Sequence, residues 1–132
     1  MPAIQTQSKP AFDKPAPPTM PRVILVATDG TAQSDPAIAF ARALAERSAL
    51  EVRVVTIVDH LPTPWGGAAA SIVAEYMQAL QGEAFKNAEL QLSRSGRSDW
   101  PVEVQVGDPA SRISALARDA NVDLVVVGLG GH

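Results

Sequence analysis

From Arg22 onward, short unbroken apolar runs alternate with longer stretches in which apolar positions recur every three or four residues. Val23-Ile24-Leu25-Val26-Ala27 is a continuous run closed by Thr28-Asp29-Gly30, which predicts a central strand and a turn. Ser34-Asp35-Pro36 then offers an N-cap, an early acidic residue and a proline in the first helical turn. Ala37, Ile38, Ala41, Leu44 and Ala45 follow at helical spacing. Glu51 to Val58 predicts a second strand, and Asp59 to Gly67, with Pro62, Pro64, Gly66 and Gly67, a loop. Ser71 is expected to cap a long helix with Ile72, Tyr76, Leu80, Phe85, Ala88 and Leu92 on one face and Gly82 as a weak interior point. Pro101 to Val106 alternates, as a strand near a sheet edge does. Pro109 to Ala120 predicts a third helix carried by Ile113, Leu116, Ala117 and Ala120, and the run from Val122 to Val127 reads as a strand covered on both faces.

The order βαβαβαβ, with right-handed crossovers, predicts an α/β fold with a doubly wound parallel sheet. Such sheets hold ligands outside the carboxyl ends of their strands, at the point where strand order reverses. With strands one and four as neighbours, three segments meet there: Thr28 to Thr31, Ile57 to Asp59 and Gly128 to Gly131. Residues in the first and third segments have two readings. Asp29 either closes an Asx turn or contacts a ligand. Gly128 and Gly131 either permit positive φ at a strand exit or let backbone approach a ligand. Thr31 either completes the turn or helps a helix start to hold a phosphate.

The 132 residues suit one domain, read as residues 22–132 behind a flexible leader at 1–21 that carries six prolines. Pro15 to Pro18 and Pro18 to Pro21 form two Pro-x-x-Pro spacings within that leader. Eleven basic and 14 acidic residues, net charge −3, are scattered, so no footprint for nucleic acid or anionic lipid stands out. Arg94-Ser95-Gly96-Arg97 reads as a solvated turn. No cysteine is present, which excludes disulfides and thiolate chemistry. No stretch approaches the roughly 18 consecutive apolar residues of a membrane span. A soluble cytoplasmic protein without nucleic-acid or membrane partners is the expectation. His60 has no second histidine or paired carboxylates at ligand spacing and reads as solvated; Trp65 either packs on the domain or stacks on a bound base. No nucleophile triad or phosphate-binding loop of known spacing occurs, so nothing in the sequence signals catalysis.

Three motifs in order resemble the universal stress protein family across residues 22–132: Asp29-Gly30-Thr31 after the first strand, Val106-Gly107-Asp108-Pro109 before the third helix, and Asp123 to Gly128. The resemblance implies a Rossmann-like sheet in the order 3-2-1-4-5, of which this sequence holds strands 3-2-1-4 and lacks the last helix and the fifth strand. Nucleotide-binding members carry Gly-x2-Gly-x9-Gly-Ser/Thr. Gly128 and Gly131 match its first pair, and the second pair would fall beyond His132. By the same resemblance Asp29 lies against adenine and ribose, the Ile57 backbone reads adenine and Val127 flanks the ribose. Thr28, Asp29, Gly30, Thr31, Ile57, Val127, Gly128 and Gly131 are therefore the expected binding residues for ATP or AMP, with or without Mg. The implied role is that of a sensor or regulator in a stress response, as a homodimer or otherwise self-associated chain. A nucleotide-free dimerising interaction module is the alternative, and a slow ATPase the outermost one.

Overall fold

The computed structural model describes residues 22–59, 68–119 and 121–128. The expected leader, His60 and Trp65 in the loop to Gly67, Ala120 and Gly131 lie outside the described residues. Within them β1 (Val23–Ala27), α1 (Asp35–Arg47), β2 (Glu51–Val58), α2 (Ala68–Arg94), β3 (Val102–Val106), α3 (Pro109–Ala117) and β4 (Leu124–Val127) follow in the order the hydrophobic pattern predicts. All neighbouring strands are parallel, in the order β3-β2-β1-β4. The fold is α/β and Rossmann-like.

Strand alternation divides the core in two. Ile24, Val26, Val52 and Val54 pack with Ala37, Ile38 and Ala41 of α1, with Leu92 near the end of α2 and with Trp100 in the turn that follows it. Leu25, Ala27 and Val55 face the other way, against Ile113 and Leu116 of α3, with Ile57, Val122 and Val125 beside them. Both faces of β1 are thus closed, which is why Ile24, Leu25 and Val26 have no more than 1% of their surface exposed. Asp123 fastens β4 to β1 at their starts: its carboxylate accepts from the backbone N–H groups of Arg22 and Val23, each at 2.9 Å.

Several local expectations change. A 3₁₀ turn at Ala32–Ser34, capped by Thr31, precedes α1, and Ser34 gives no side-chain cap to the helix. α2 begins at Ala68, so Ser71 lies inside it rather than capping it. Ile72, Tyr76 and Phe85 are exposed, while Met77, Ala88, Gln91 and Leu92 form the buried face. β4 is half-buried, because among the described residues it pairs with β1 alone. The turn after α2 is not simply solvated: the Arg97 guanidinium stacks 4.8 Å from the Trp100 ring centroid and reaches Asp99 at 3.2 Å. Among the described residues no helix is long and apolar enough to cross a membrane.

Candidate functional site

Strand order reverses in the sheet between β1 and β4, and a cleft of about 160 Å³ opens at their carboxyl ends. Its floor is apolar. Ala27, Val55, Ile57 and Val127 rise from the strands, and Pro109 and Ile113 come from the start of α3. Thr28, Asp29, Ser34 and Gly128 form a polar rim. A larger hollow of about 280 Å³ lies between α2 and Trp100, lined by Lys86, Glu89 and Leu90 among others, away from the strand ends.

Backbone pairing leaves one wall of the cleft with free capacity. Val55 O accepts from Thr28 N at 3.0 Å on the β1 side, whereas Val54 N donates to Pro101 O and Val58 O accepts from Gly107 N on the β3 side, also at 3.0 Å. Alternation along a parallel strand therefore turns the N–H and C=O of Ile57 toward β1. β1 has ended by that height, since its pairing with β2 stops at Ala27 beside Val55.

The rim is held by a compact polar network. Asp29 Oδ1 accepts from Thr31 N at 2.9 Å, from Thr31 Oγ1 at 2.6 Å and from Ser34 Oγ at 2.8 Å. All three bonds converge on one oxygen, leaving Oδ2 outside the network. Partial burial works to raise the Asp29 carboxyl pKa, but the bonds from Thr31, Ser34 and its own backbone outweigh that and hold it below the ordinary aspartate value. The group is a carboxylate at neutral pH. Among the described residues no group of three His, Cys, Asp or Glu side chains comes together to hold a metal.

Of the residues expected from sequence, Thr28, Asp29, Ile57, Val127 and Gly128 line the cleft. Gly30 and Thr31 do not. Gly30, at φ +80°, presses on α2, where a Cβ would stand 3.0 Å from Asn87 Cβ; Thr31 spends its hydroxyl and N–H within the turn. The Asx-turn reading of Asp29 holds as a fact of local structure, and it leaves the second oxygen available. Gly128 proves to be packed inside the chain: an added Cβ would meet Ser34 Cα at 2.8 Å. Glycine is needed there to seat β4 on the 3₁₀ turn, apart from any ligand. Sequence reasoning missed Ser34, Val55, Pro109 and Ile113 as lining residues, because turns and helix starts reach the cleft only once the strands are ordered. It also missed Gln91, whose only signal is a polar residue between Ala88 and Leu92 on the buried face of α2.

The sequence model of the universal stress protein family matches residues 20–132. The chain belongs to the universal stress protein family. This universal stress protein domain is similar to protein MJ0577, with 23% identity and a TM-score of 0.67 over 82% of this chain and 74% of that one. A universal stress family protein from Burkholderia pseudomallei gives 26% identity and a TM-score of 0.57 over 86% and 85% of the two chains. A universal stress protein solved in complex with cAMP gives 23% identity and a TM-score of 0.51 over 83% and 77%. Comparison with curated proteins gives no match.

Proposed function

We propose that this universal stress protein binds an adenine nucleotide, AMP or ATP, in the cleft at the carboxyl ends of β1, β2 and β4, and that binding serves a sensing or regulatory role. The observation that carries this is the juxtaposition of three chemistries around one apolar floor. A planar base needs apolar surface, supplied by Val55, Ile57, Ile113 and Val127. The adenine edge offers a ring-nitrogen acceptor and an amino donor, which complement an outward N–H and C=O such as those of Ile57. Ribose hydroxyls are donors, and the Asp29 carboxylate with its uncommitted Oδ2 is an acceptor for them. Ligand pockets commonly measure about 300–1,000 Å³. A 160 Å³ cleft therefore takes the base and part of the ribose, and the phosphates extend past Gly128. A relative solved with cAMP shows that one member of this fold accommodates an adenine nucleotide.

Asp29→Asn tests the assignment cleanly, because the amide keeps the Oδ1 acceptor that closes the turn and gives up the charge. Calorimetric titration with AMP and with ATP should show binding by the parent protein and affinity weakened by about tenfold or more in the variant, as the loss of one charge-assisted hydrogen bond requires. A parent that binds neither nucleotide, or an Asp29→Asn protein that binds as the parent does, overturns it.

A further inference from the structure

We propose that Gln91 is a positioning residue for this site, fastening α2 to the loop that presents Asp29 and so coupling the helix to the cleft; the coupling to ligand rests on the nucleotide reading above. Gln91 is fully buried, on the helix face that also carries Ala88 and Leu92. A buried amide without partners is costly, so its bonds indicate what the position is for. Its Oε1 accepts from the Thr28 hydroxyl at 2.6 Å. Its Nε2 donates to Thr31 O at 2.8 Å and to Asp35 Oδ1 at 2.7 Å. The three anchor points bracket Asp29, and none of them is in α2's own neighbourhood along the chain.

The orientation is relayed further. The Thr28 hydroxyl, donating to Gln91, accepts from Gly30 N at 2.9 Å, so the side chain on α2 sets the path of the turn on either side of Asp29. A second contact confirms how closely the helix and loop are fitted: Gly30 lies so near α2 that a Cβ there would stand 3.0 Å from Asn87 Cβ. Gln91 itself is not among the residues lining the cleft. It acts through Thr28, Thr31 and Asp35. Hydrogen bonds of this length are lost when one partner moves by about an ångström, so a displacement of α2 releases the loop. By linkage, a ligand that fixes the loop also fixes α2, which gives the site a route to the outer surface of that helix.

Gln91→Met keeps the length of the side chain and removes all three bonds. In the protein without nucleotide, amide exchange by NMR should speed up about tenfold or more at Gly30 and Thr31, with the amides of β1 unchanged. AMP affinity should fall by a similar factor. A folded variant whose loop amides exchange at the parent rate overturns the proposal, as does one in which loop and β1 speed up together, because that is loss of general stability. Unchanged AMP affinity in a parent that binds AMP overturns the coupling. If the parent binds no AMP, the nucleotide reading fails and the exchange rates alone decide whether the clamp exists. If Gln91→Met does not fold, Thr28→Val read at the Thr31 amide replaces it. Faster exchange there, restored by Thr28→Ser, supports the clamp, and exchange unchanged by Thr28→Val overturns it.

Discussion

A single residue in this domain often answers to two neighbours, and Gly128 is the sharpest case. From sequence, a glycine at the exit of a strand suggests either unusual φ or room for a ligand. In the structure its missing side chain is required by the 3₁₀ turn, since a Cβ would lie 2.8 Å from Ser34 Cα, a backbone position with no freedom to swing away. Gly128→Ala should therefore destabilise by about 1–3 kcal/mol, the usual cost of overpacking, with the urea midpoint lowered and the slope unchanged. An alanine variant as stable as the parent would show that β4 and the turn are further apart than described. Asp29 was legible in advance because Asp-Gly after an apolar run is a turn signal with a mechanism. Gln91 was not, because nothing local distinguishes a glutamine that will be buried from one facing solvent.

Elements were legible to the extent that their burial is one-sided or complete. β1, β2 and β3 fall where their patterns place them, since a continuous apolar run and an alternating one translate directly into central and edge positions. α2 misled. Its 27 residues extend for about 40 Å, well beyond the strands of five to eight residues on which it packs, so only part of the helix can find a partner surface. Apolar residues at Ile72, Tyr76 and Phe85 satisfied a helical period without ever reaching the core, with exposures of 66%, 55% and 39%. The two populations should separate in chemical denaturation. Leu92→Ala should cost about 2–5 kcal/mol, as truncation of a buried leucine does, and Ile72→Ser no more than about 0.5 kcal/mol. Comparable losses for both would mean that the outer face of α2 is covered in solution.

For the whole molecule, the chain order βαβαβαβ sufficed to anticipate a parallel sheet, and the resemblance to the universal stress protein family supplied its order 3-2-1-4. The details of the cleft were not so accessible: its floor draws on β1, β2, β4 and α3, whose side chains meet only in the finished fold. Stability should follow the same geometry. β1 has strands on both sides and closed cores on both faces, whereas β4 is half-buried and ends at the exposed Val127. Native-state hydrogen exchange should place the amides of β1 among the slowest, opening only with global unfolding, and those of β4 among faster, sub-global openings. Equal protection of the two strands would contradict this.

The carboxylate of Asp123, bonded to backbone N–H groups 100 and 101 positions earlier, has a meaning for biosynthesis. β1 leaves the ribosome well before β4, one of the two strands that flank it. At typical translation rates of about 5–20 residues per second, an interval of roughly 5–20 s separates them. During that time a strand that is almost wholly buried in the finished fold can be paired with β2 but stands open on its other side. Nascent chains arrested between Val106 and Val122 therefore display an apolar edge, and they are the species to which a ribosome-associated chaperone would bind.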